Sequence, residues 1–254
     1  MSSTPSGADT DADLRRVWQR RVGSVGRALV VVVVAFLAAY VAVGLGMPLL
    51  LSAGVVTAES MGFRIAASVL QFVGFGVGIA GYFAVTEEWD VLHVDRPSLT
   101  DLGWIVGGIV AILAAARIIG EVLARLDVQV AQNQVIVAGQ QNPEFFLYMI
   151  PVSLLLVGPF EELVFRGGVQ GVLRRSWGSR AAVVIAAGLF GAIHLVALTG
   201  TGSRISYVVV AAALGLILGA IYERTRNLAV PALVHGVYNS VLFAVQYASA
   251  TGAL

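Results

Sequence analysis

Apolar residues in this chain gather into runs of about 20, the length a helix needs to cross the roughly 30 Å of bilayer hydrocarbon. The runs fall at about 28–46, 63–85, 103–124, 145–173, 181–199, 205–222 and 228–247, with polar or charged stretches between them. The pattern predicts an all-α fold, a polytopic transmembrane helix bundle of about seven helices. Eight shorter pieces would result if the fourth run breaks at Gly158-Pro159, because proline removes a donor and suits the first turn of a new helix. The run at 28–46 is too long for the apolar core of a signal peptide, so a retained first helix is predicted.

The segments between the runs are readable in outline. Residues 1–27 form a polar tail, with Asp9, Asp11 and Asp13 ahead of Arg15, Arg16, Arg20 and Arg21. It is expected to be solvated, the alternative being an interfacial stretch around Leu14, Val17, Trp18 and Val22. Asp95 to Asp101, DRPSLTD, supplies a turn and capping residues for the third helix. His93 beside it is expected to be a solvated loop residue. Asp127 to Pro143 is polar, rich in Gln and Val, and has the length of a lid or interfacial segment. Gly74 with Gly78, and Gly215 with Gly219, predict close helix packing. The chain divides into the tail, N-terminal membrane helices and loops over 28–143, and a membrane core over 144–254. With 15 residues after Asn239, no further helix is expected beyond the seventh run.

Composition sharpens this picture. A mean hydropathy of +0.86 with 58% hydrophobic and 12% charged residues excludes an ordinary soluble domain. Cysteine is absent, which excludes disulfides, thiolate metal sites and a cysteine nucleophile. All 16 basic residues are arginine. Eleven of them flank the helices on the side of the N-terminus and three, Arg64, Arg125 and Arg204, on the other. That asymmetry predicts a multi-pass integral protein of the cell membrane with a cytoplasmic N-terminus. The lipid bilayer is its expected surrounding, and no nucleic-acid partner is expected.

Candidate chemistry centres on Gly158 to Leu173, GPFEELVFRGGVQGVL. A charge in the middle of a membrane helix costs about 3 kcal/mol even on the lenient insertion scale. Glu162 and Arg166 are four apart and can pair on one helix face. Gln170 on that face could extend the pair, whereas Glu161 lies about 100° round the helix without a partner. Arg117 and Glu121 predict another four-apart pair. Two further polar groups lie in later runs: His194, with Phe190 one turn before it, and His235 with Asn239 four residues on. At about 1.5 Å per residue, Glu161, His194 and Asn239 fall about 16–20 Å from the arginine-rich ends, and His235 about 10 Å. A chamber opening toward the arginine-rich side is therefore expected. Glu161 suits a general base for a water that His194 orients or shares a proton with, and His235 with Asn239 suit stabilisation of an oxyanion. Equally, Glu161, His194 and His235 could hold Zn2+ with an open position for water.

The ordered set Glu161-Glu162-x-x-x-Arg166, Phe190-x-x-x-His194 and His235-x-x-x-Asn239, on separate hydrophobic segments, resembles the three motifs of the CPBP family. That family comprises CAAX prenyl proteases of the Ras-converting type, bacteriocin-processing enzymes and Abi proteins. The stretch from Tyr222 to Leu228, YERTRNL, resembles the family's lead-in to its third motif. The resemblance covers about 145–245. It implies an intramembrane endopeptidase acting on a peptide or lipidated protein, prenylated or carrying a leader. Glu161, His194, His235 and Asn239 would be catalytic, and Glu162, Arg166 and Phe190 supporting. It leaves metal-dependent and metal-free mechanisms both open. A proton-coupled transporter and a non-catalytic Abi-type scaffold or immunity protein are the competing readings.

Overall fold

A computed structural model describes residues 7–253. Helices α1 (Gly7–Ser52), α2 (Met61–Thr86) and α3 (Leu99–Arg125) come first, followed by a short α4 (Gln134–Gln141). Among the described residues six stretches are long and apolar enough to cross a membrane. One of them, Glu144–Ala197, has 54 residues and would extend about 80 Å if straight. Within it the rings of Phe165 and Phe190 are 5.1 Å apart, although 25 residues of straight helix would separate them by about 37 Å. The chain therefore doubles back. It does so at Gly178, whose φ of 73° and ψ of 171° lie in a region open essentially to glycine alone. We label the two limbs α5 (144–177) and α6 (179–197); α7 (Arg204–Thr225) and α8 (Ala229–Ala250) follow. Seven long helices result among the described residues, in keeping with the hydrophobic runs.

Two expectations are corrected. The first helix begins at Gly7, so most of the stretch expected to be a solvated tail is helical and continuous with the first span. Contacts with the end of α5 hold it there: Trp18 meets Trp177 edge-on at 6.4 Å, and the Trp177 indole donates to Arg21 O and Ser24 Oγ. Residues 1–6 lie outside the described residues. The second correction is at Gly158-Pro159, where α5 does not break. A π-helical turn over Ser153–Val157 precedes the proline, with Gly158 N–H bonding five residues back to Ser153 O. Widening the helix there accommodates a residue that can neither donate nor sit comfortably against the preceding turn. A second π-helical run, Leu163–Gln170, follows. Glu161 therefore stands inside a continuous helix and not at a newly opened N-terminus.

Helices in lipid associate by close packing rather than by escape from water, so small residues set their approach. A methyl group on Gly74 would lie 2.5 Å from Ala39 Cα, and one on Gly78 2.9 Å from Ala35 Cα, which locks α2 onto α1. Gly158 and Gly236 do the same for α5 and α8, with added methyls 2.5 Å from Ala232 O and 3.0 Å from Ser153 O. Gly215 and Gly219 face α6 and Gln170. Helix α3 packs outside this group, Ile105 and Ile112 meeting Leu218, Val230 and Val234 of α7 and α8.

The arginine-rich end is cross-linked by three acidic residues. Glu88 accepts from Arg27 (3.1 Å) and Arg175 (2.7 Å), Asp90 pairs with Arg175, and Glu223 accepts from Arg174 (2.9 Å). Ser98 and Asp101 form a capping box at the start of α3. His93 is less solvated than expected: its ring faces Arg226 and its carbonyl accepts from Leu228 N. At the opposite end, the segment 127–143 folds over the helices. Its β1 (Gln132–Asn133) pairs antiparallel with β2 (Leu198–Thr199), and α4 continues the roof.

Candidate active site

Helix α5 presents its two glutamates to different surroundings. Glu162 and Arg166 are fully buried, with Oε2 2.9 Å from Nε. Their angle falls short of a hydrogen bond, so the contact is an ion pair by distance. Nη1 and Nη2 of Arg166 are buried without hydrogen-bond partners among the described residues, and the guanidinium lies over the Phe190 ring at 5.1 Å, where the ring face attracts a cation. Gln170 does not extend this pair. Its amide donates to Gly219 O and Glu223, tying α5 to α7. Arg117 does reach Glu121, at 3.7 Å, although Arg125 holds the same carboxylate closer, at 3.1 Å.

The other oxygen of Glu162 meets His235 Nδ1 at 2.9 Å. A carboxylate can only accept, so Nδ1 carries a proton and Nε2 faces the other way, toward Glu161 Oε2 at 3.9 Å. Gly158 and Gly236 make this meeting possible by letting the two backbones touch. His194 is oriented in the same manner: its Nδ1 donates to Phe190 O at 2.7 Å, leaving Nε2 free. Phe190 is the hub of the group. Its ring touches Phe165 at 5.1 Å, His194 at 4.7 Å and His235 at 5.9 Å.

A cavity of about 250 Å3 exposes Glu161, His194, His235 and Asn239 together. The sequence reading missed Tyr207, in the first turn of α7, which borders the same space with its ring 6.0 Å from that of His194. It also missed Asn133, whose amide donates to Tyr207 Oη at 3.4 Å. Neither carries a signal in sequence beyond being polar near a helix end. Phe36, Phe72, Phe75 and Met149 give the cavity apolar walls.

The cavity leads away from the arginine-rich end, toward the roof made by 127–143, with Asn133, Gln134 and Ala197 in its lining. The expected opening toward the arginine-rich side is thus corrected. The space beside the site group is bounded by the turns of α2 from Ser68 to Phe75 and by α4. The alternative of a Zn2+ set can be compared with the geometry. Among the described residues no three His, Cys, Asp or Glu groups stand close enough to hold an ion. Glu161, His194 and His235 share a cavity without converging on a point, because Phe190 O and Glu162 fix the two rings. These residues do not fit a resident metal as arranged.

Residues 143–241 match the family model described as Type II CAAX prenyl endopeptidase Rce1-like. Over that stretch the chain is similar to the Rce1-like family. The match runs from the start of α5 past Asn239, taking in every residue of the three motifs and leaving α1 to α3 outside it. It supports the CAAX-protease branch of the resemblance and not the Abi branch. The six apolar stretches and the similarity of residues 143–241 to that family agree on an integral membrane protein. Comparison with curated proteins and with solved structures gave no match.

Proposed function

We propose that this protein is an intramembrane endopeptidase that hydrolyses a peptide bond of a prenylated, CAAX-type or otherwise membrane-associated substrate, without a bound metal. The observation that carries the reading is the division of labour between adjacent carboxylates. Glu162 is buried against Arg166 and His235, whereas Glu161 faces a cavity shared with His194, His235 and Asn239.

The chemistry follows from these positions. The 3.9 Å between Glu161 and His235 Nε2 is too long for a direct hydrogen bond and suits a bridging water or substrate oxygen. Glu161 takes a proton from the attacking water, whose oxygen bonds to the substrate carbonyl carbon. His194 Nε2 accepts from the same water and orients it. The carbonyl oxygen becomes an oxyanion facing the Asn239 amide and the protonated His235 ring. Glu161 then passes its proton to the departing amide nitrogen, releasing a carboxylic acid and an amine. Apolar aromatic walls suit a greasy substrate, which supports the CAAX class.

The test is cleavage of a quenched-fluorescent peptide ending in C-a-a-X, prenylated and plain, by purified protein in detergent. Glu161→Gln is expected to abolish cleavage, and Asn239→Ala to lower kcat by about 10²–10³-fold. Chelator should leave the rate unchanged, and the prenylated peptide should be preferred. Turnover by Glu161→Gln at the wild-type rate would overturn the assignment.

A further inference from the structure

The cavity that Asn239 lines is also bordered by a phenol whose hydrogen bonding has a direction. Asn133 Oδ1 accepts from Val135 N at 2.9 Å, capping α4, and this fixes which end of the amide is which. The other end, Nδ2, therefore donates to Tyr207 Oη. Having accepted there, the phenol keeps its own proton, and it donates to no acceptor among the described residues. A donor that is itself accepting is strengthened by polarisation. It stands in the cavity that holds Glu161 and His194, on a ring packed 6.0 Å from that of His194.

We infer that Tyr207 is a further catalytic residue, its hydroxyl donating to the substrate's carbonyl oxygen as that oxygen becomes negative, and that Asn133 is the positioning residue that aims the proton into the cavity. The inference deepens the proposed function and rests on it. Asn133 sits in β1, whose pairing with β2 begins four residues after His194, so the roof segment and the α6 histidine are held as one unit around the phenol. No covalent step is added: the phenol keeps its proton and shares it with the oxyanion.

Two probes separate this role from a structural one: the prenylated C-a-a-X peptide, and its analogue with a phosphinate in place of the scissile amide, which mimics the tetrahedral oxyanion. Tyr207→Phe keeps the ring and its packing. It is expected to lower kcat 10- to 100-fold with KM unchanged, and to weaken phosphinate binding by the same factor. Binding of the uncleaved peptide, measured in a Glu161→Gln background, should not change, and the unfolding midpoint should stay at the wild-type value. Asn133→Asp retains the acceptor that caps α4 but presents Tyr207 with a carboxylate, which would draw the phenol proton out of the cavity. It should therefore reproduce most of the kcat loss, whereas Asn133→Gln should lose less.

Equal weakening of phosphinate and peptide, or no change in kcat, would overturn the role of Tyr207 while leaving Glu161 as the base. A wild-type protein that neither cleaves the peptide nor binds the phosphinate more tightly than the peptide would instead remove the hydrolase reading and Tyr207's role with it.

Discussion

Glu161 and Glu162 are neighbours in sequence, and their removal should be felt in different measurements. Glu162→Gln would leave the Arg166 guanidinium buried with no counter-charge, a change that ordinarily destabilises by about 3–5 kcal/mol. It would also remove the carboxylate to which the His235 ring donates. Glu161→Gln leaves every hydrogen bond seen in the structure intact. Thermal unfolding in detergent should show a large loss for Glu162→Gln and a negligible one for Glu161→Gln, with activity lost in both. Equal losses of stability would mean that the two carboxylates are both structural. At this scale the sequence was informative where spacing decides. The four-residue step from Glu162 to Arg166 predicts their pairing, and Phe190 and His194 share a face as their spacing requires. Contacts that depend on two helices meeting were not legible, and the foremost is His235 with Glu162, 73 residues apart. The sequence reading had given His235 only to Asn239 or to a metal.

Helices were legible where hydrophobic runs are bounded by arginine. Arg174, Arg175 and Arg180 bracket the reversal at Gly178, and the runs on either side were placed correctly. The π-helical turns were not legible, because the sequence states only that Pro159 lacks a donor and not how the helix answers. Widening instead of breaking keeps Glu161, Glu162 and Arg166 on one rigid rod. The reversal itself makes a sharp prediction. A methyl group on Gly178 would touch nothing within 4 Å, so Gly178→Ala probes backbone conformation alone. Residues other than glycine pay about 1–3 kcal/mol in this region of φ and ψ. Gly178→Ala should lower the unfolding midpoint, whereas Gly188→Ala, in the regular part of α6 and equally open, should not. No difference between them would mean that the corner tolerates another conformation.

For the whole molecule, the seven long helices put two chemically different ends on the bundle. One end is bound together by Glu88, Asp90 and Glu223 with their arginines; the other carries α4, the small sheet and the way into the cavity. The distribution of arginines predicts that the first end is cytoplasmic. With no native cysteine, single thiols introduced by Asp11→Cys and Asp127→Cys can be labelled separately in sealed cells. A membrane-impermeant reagent should reach the second from outside and the first only after permeabilisation. The reverse pattern would invert the protein, and with it the side from which substrate enters.

The hairpin of α5 and α6 brings Glu161, Glu162, Arg166, Phe190 and His194 together within one uninterrupted stretch of chain, while the carboxylate's partner histidine waits on α8. During synthesis, a chain that has emerged only as far as Thr225 already contains the base, its buried neighbour and the aromatic hub, but Glu162 and Arg166 face an empty flank. On the proposed mechanism, hydrolysis requires that Gly236 has packed against the π-helical turn before Pro159 and brought His235 to Glu162. By the same mechanism, a chain lacking α8 would carry its glutamate but not the histidine needed to use it.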